Sequence, residues 1–121
     1  MRPFIVRLPV LLTLLTGRFA TAMALYPFIV VRSADDRRNR VLINHERIHL
    51  RQQRELLLVV FYLWYAIEYL VRRVQYRDHA RAYRNISFER EAYHAQARLH
   101  YLERRRPYAF LRFLVHRTGP R

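Results

Sequence analysis

Apolar and polar positions change period several times along this chain, and each change marks an element. Residues 8–15 are almost wholly apolar, and the small residues Ala20, Ala22 and Ala24 follow. Residues 1–24 read as a hydrophobic arm or first helix. They bear only a weak likeness to an export signal, because Pro9 interrupts the run and Arg18 stands where a cleavage region is uncharged. After Pro27, the β-branched Ile29, Val30 and Val31 predict a short strand or hairpin near 25–32, and the proline places that strand at a sheet edge. Residues 34–40, "ADDRRNR", are a polar loop.

From 41 to 75 there is neither Pro nor Gly. This predicts one helix of about 50 Å, bent somewhere along its length. Its second half, 56–71, is apolar nearly all round, with Glu68 its one charge and Arg72 four residues on for a helical ion pair. That run is shorter than the ~20 residues a bilayer crossing needs, so core burial or shallow insertion is expected. Residues 76–87 are a polar connection. Ser87 caps a second long helix over 87–105, which Pro107 ends, and 108–117 is an amphipathic terminal helix. The expected fold is a single domain over 1–121, mainly α, with one short strand element.

Composition narrows what such a fold can do. At 52% hydrophobic residues the chain is not a disordered, solvating one. It has no Cys, so any metal must be held by His and carboxylates. All 23 basic residues are Arg, and the formal charge is +14. The arginines are scattered from Arg2 to Arg121 in short clusters, with no spacing that organises them for base reading. Specific nucleic-acid recognition is therefore not expected, whereas a solvated face or an anionic membrane surface is. A cytoplasmic or membrane-peripheral place is favoured.

The chemistry is concentrated in His45-Glu46-Arg47-Ile48-His49, an HExxH pattern. Residues i and i+4 share a helix face, so both imidazoles can address one ion, and Glu46 beside them can take a proton from water. At ~100° per residue, Gln53, Leu56, Val60, Leu63, Ile67 and Val71 fall within about 40° of His49, which predicts a continuous interior stripe. A catalytic Zn2+ needs a third protein ligand. Glu89 and Glu91 flank the apolar stripe Phe88, Ala92, Ala95, Leu99 and Leu102, and periodicity slightly favours Glu91.

"HERIHLRQQ", followed 40 residues after His49 by "FEREAY", resembles the gluzincin branch of zinc metallopeptidases, and more narrowly the very small zincin-like proteins of bacteria. The likeness spans about residues 41 to 100. Gln52 stands where those families often carry Gln, and Glu89-Arg90-Glu91-Ala92 matches the first four positions of their glutamate helix. The resemblance implies a zincin-like helical core with a strand beside the active-site helix. It also implies Zn2+ on His45, His49 and Glu89, Glu46 as general base, and a peptide or protein substrate. Tyr93 departs from the acid or amide usual at the fifth position, so support for the ligands must come from elsewhere.

Other readings compete. Glu46-x-x-His49 and Glu91-x-x-His94 suggest a di-iron bundle, but the carboxylates that two further helices would supply are missing. His100, Tyr83, Arg84 and Tyr93 are candidates to face an oxyanion, though packing explains each of them. The non-enzymatic alternative is a basic, membrane-peripheral interaction protein with a structural or vestigial metal site, held by 56–71, 108–117 and the arginines.

Overall fold

The computed structural model describes residues 4–17 and 19–115. The basic start at 1–3, Arg18, and the end of the 108–117 segment lie outside the described residues. The expectation of a mainly α fold with a short strand element holds. The chain begins with strand β1 (Phe4–Arg7), helix α1 (Pro9–Thr16), and the hairpin β2 (Ala22–Leu25) and β3 (Phe28–Val31). Pro9 opens α1 rather than breaking it, since a missing N–H costs nothing in a helix's first turn.

The sheet order is β1-β3-β2, with β1 parallel and β2 antiparallel to β3. The predicted strand is thus present, but β3 is central and β2 is an edge. Pro27 sits in the hairpin turn, outside the ladder, so it imposes no edge on β3. The unbroken run Ile29, Val30, Val31 is buried throughout, as a strand covered on both faces requires. Leu50, from the helix carrying the histidines, packs against Ala22, Ala24, Ile29 and Val31.

The expected loop at 34–40 contains a short helix, α2 (Ala34–Arg38), closed by a capping box between Ser33 and Asp36. Helix α3 (Arg40–Glu55) follows, capped by Asn39. The single helix expected over 41–75 is then broken, not bent, and α4 (Val59–Tyr76) starts afresh. Leu57 and Leu58 both adopt left-handed backbone, with φ of 56° and 58°. Such a conformation costs a non-glycine residue about 1 kcal/mol or more. The amides of Leu56, Leu57 and Leu58 donate to the carbonyls of Gln52, Arg54 and Gln53, so the turn satisfies α3's last carbonyls.

The break resets the helical phase. Val60, Leu63, Ile67 and Val71, the expected interior stripe, are exposed, and α4 instead buries Phe61, Glu68 and Arg72. Phe61 joins Ile86, Phe88 and Phe110 in a cluster flanked by Trp64, Tyr65 and Tyr69.

Asp78 caps α5 (His79–Arg84) within the expected polar connection. Next comes α6 (Ser87–Ala95), ten residues shorter than the helix expected over 87–105. Its end is held by Asn44 of α3, whose side-chain amide donates to the carbonyls of Ala95, Gln96 and Arg98. Ser87 does not cap α6 with its own oxygen. Both its N–H and its hydroxyl donate to Glu68, which also pairs with Arg72 at 3.3 Å. The lone charge of the apolar run thus caps a neighbouring helix as well as forming the expected ion pair. The last described elements are α7 (Tyr101–Arg104) and a 3-10 turn at Ala109–Phe113, which takes the place of the expected α-helix in the described part of the 108–117 segment.

Candidate metal centre

Helices α3 and α6 bring His45, His49 and Glu89 together, and all three are buried. His45 Nε2 lies 3.1 Å from Glu89 Oε1, His49 Nε2 lies 3.0 Å from the same oxygen, and the two Nε2 atoms are 3.1 Å apart. Tetrahedral ligands at 2.0–2.1 Å from Zn2+ lie roughly 3.3 Å from one another, so the triangle fits to within about 0.3 Å.

The outer hydrogen bonds fix which atoms face inward. Gln52 donates its amide hydrogens to Phe88 O and Glu91 Oε1, which turns its oxygen toward His49 Nδ1 at 2.8 Å. His49 Nδ1 must therefore carry hydrogen. His45 Nδ1 is likewise paired with Gln96 Oε1 at 2.9 Å. In neutral rings, both Nε2 lone pairs then point at each other and at a carboxylate oxygen. Three acceptors converging in a buried space repel one another unless a cation, whether metal or proton, joins them.

Glu89 is held from its far side, where Tyr65 donates to Oε2 at 2.8 Å. The break at Leu57 and Leu58 turns α4 back, and from there Tyr65 reaches the centre. Tyr93, the departure from the motif, lays its ring against His45 with centroids 4.6 Å apart, and the Arg84 guanidinium lies over that ring, 4.4 Å from its centroid. Gln52 and Gln96 thus supply the support missing from position 93. Gln96 and Tyr65 were not legible as site residues, because neither belongs to the motif.

Burial pushes Glu46 above the ordinary carboxylate range, against the lowering influence of His49, His45 and an N–H of Ala24 on β2. A carboxylate raised in this way is suited to taking a proton near neutral pH. Glu89 goes the other way. Burial raises it, but the positive charge of His49 and hydrogen bonds from both histidines hold it well below the usual range. Burial pulls His49 down, yet Glu89 and Glu46 push it up to about 9.

Glu46, His49 and Glu89 open onto a cleft of about 440 Å³ lined largely by apolar and aromatic side chains, among them Phe19, Met23, Tyr62, Tyr69 and Tyr83. Gln53 anchors the edge strand there, donating to Ala24 O and accepting from the Tyr26 amide, each at 2.9 Å.

Glu91, the ligand that periodicity favoured, is not in this cluster. It is fully buried on the guanidinium of Arg105. His94 contacts Arg98 and Phe113, away from the centre, so the two Glu-x-x-His pairs do not meet at one ion. His100 is exposed beside Glu103 and takes no part. Compared with known proteins, the chain matches no family model, no curated protein and no solved structure.

Proposed function

We propose that this protein is a small zinc-dependent hydrolase of peptide-like carbonyls, with His45, His49 and Glu89 as ligands and Glu46 as general base. The observation that carries the reading is the convergence of three lone-pair atoms within 3.1 Å of one another, with both Nδ1 atoms already committed as donors. Zn2+, when bound, supplies Lewis acidity that makes water acidic near neutral pH and polarises a carbonyl. Glu46 accepts the proton from the attacking water and delivers it to the leaving amine. Gln52 and Gln96 hold the imidazole rings in their orientation and tautomer, and Tyr65 does the same for Glu89. The cleft's lining suits an apolar or aromatic side chain beside the scissile bond.

The test is metal content together with hydrolysis of short peptides bearing apolar residues. Purified protein should carry one equivalent of zinc. Glu46→Gln should keep that metal and lose hydrolysis by about a hundredfold or more. A parent protein without affinity for zinc would end the proposal, and activity surviving Glu46→Gln would remove Glu46 as base. Gln96→Ala is expected to weaken zinc binding by about ten- to a hundredfold, since it frees the His45 ring, with folding unchanged by circular dichroism. Competition against a chelating dye reads this directly, and unaltered affinity would show that Gln96 does not orient the ligand.

A further inference from the structure

Along the outward arc of α4, about 120° wide, every residue from Val59 to Val74 is apolar. Leu63, Leu70 and Val74 are 60%, 62% and 77% exposed, and Leu57 extends the face into the turn. This face covers about 22 Å of helix, and nothing among the described residues packs on it. A contiguous exposed apolar surface of that extent marks an interaction site.

Charge selects the occupant. Four of the nine carboxylates, Glu46, Glu68, Glu89 and Glu91, are buried. Of the other five, Asp36 and Asp78 cap helices, while Asp35, Glu55 and Glu103 pair with Arg38, Arg105 and His100. The exterior is therefore overwhelmingly basic. Exposed Arg54 stands just before the apolar face, Arg73 at its margin and Arg77 just beyond its end, none within ion-pair distance of a carboxylate among the described residues. A second copy would bring another +14 against this surface, and nucleic acid would leave the apolar arc unsatisfied.

We infer that α4 docks this protein onto an anionic lipid bilayer. The outward arc lies in the plane of the interface, its side chains below the headgroups and Arg54, Arg73 and Arg77 among them. No helix among the described residues is long and apolar enough to cross a membrane, so the protein lies on the surface through this face. Tyr62, at the margin of the arc, also lines the cleft, so docking sets the cleft's mouth beside the headgroups.

The experiment is flotation of the full chain with vesicles of equal parts phosphatidylglycerol and phosphatidylcholine, and with phosphatidylcholine alone. The parent should float with the anionic vesicles and remain bound as salt is raised. The triple variant Leu63→Ser, Ile67→Ser, Leu70→Ser should partition at least about tenfold more weakly while keeping its helical circular dichroism, because all three side chains are exposed. Three results would each overturn the inference. They are a parent that stays unbound at low salt, a triple variant that floats as well as the parent, and a lipid-free parent dimer that the triple variant dissolves. The readout needs no metal, so it stands or falls apart from the hydrolase proposal.

Discussion

His49→Ala is expected to lower the affinity for Zn2+ roughly a thousandfold and to take hydrolysis to background. Zinc sites of four ligands are worth about 10–16 kcal/mol, or roughly 2.5–4 kcal/mol for each ligand, and a thousandfold loss corresponds to the upper end. His49 contacts Glu89, His45 and Gln52 within 3.1 Å. The same residue dictates how binding varies with pH. In metal-free protein His49 holds a proton up to about 9, because the carboxylates beside it outweigh its burial. Zn2+ must displace that proton, so affinity should rise about tenfold per pH unit from near 7 and level off above about 9. Calorimetry in buffers of different ionisation enthalpy should find the proton released.

Stability of the metal-free protein has the opposite sign on that side. His49 has a raised folded-state value, so its contribution is complete below its ordinary 6.5 and is lost as pH climbs through about 9. Glu89, held low, contributes above its ordinary 4.5 and loses that contribution as pH falls. Stoichiometric zinc retained by His49→Ala, or affinity flat with pH from 7 to 9, would contradict the assignment.

The histidine pair was legible in the sequence because its spacing is local: four residues on one helix define a face whatever else the chain does. The mainly helical class was legible for the same reason. Periodicity slightly favours Glu91 over Glu89, but it is a weak guide here, since α6 is buried on both flanks and the two carboxylates differ only in their distant partners. The break at Leu57 and Leu58 left no trace, because the left-handed turn is built from leucines rather than glycine. That one event carried the rest of α4 out of the expected phase. It exposed Leu63 and Ile67, buried Phe61, and brought Tyr65 to a carboxylate 24 residues away. The shortening of α6 was hidden for a similar reason. Its stop signal is Asn44, some fifty residues upstream, and the freed chain is what lets Gln96 face His45.

Arg105→Met should destabilise the fold by about 3–5 kcal/mol, the usual cost of stripping a buried charge of its partner. Arg105 and Glu91 have no side-chain exposure and Glu55 has little. The guanidinium donates twice to Glu91 and twice to Glu55, tying the end of α3 to α6 and to the chain beyond α7. Tyr101 and Gln52 complete the shell of Glu91, at 2.7 and 2.9 Å. Methionine replaces the volume of the arginine stem but leaves Glu91 facing only neutral donors. Urea unfolding followed by circular dichroism measures the loss. A second substitution separates lost charge pairing from lost packing, because Arg105→Met with Glu91→Leu removes both charges and should recover a substantial part of the deficit. A single variant within about 1 kcal/mol of the parent, or a double variant no better than the single, would refute this account. The ion pair also reaches the metal centre, since the Gln52 amide that donates to Glu91 is the one whose oxygen holds His49. Arg105→Met should therefore weaken zinc binding even where the protein remains folded, whereas Glu68→Gln, cutting the buried Glu68–Arg72 pair, should cost stability and leave the ligands in place.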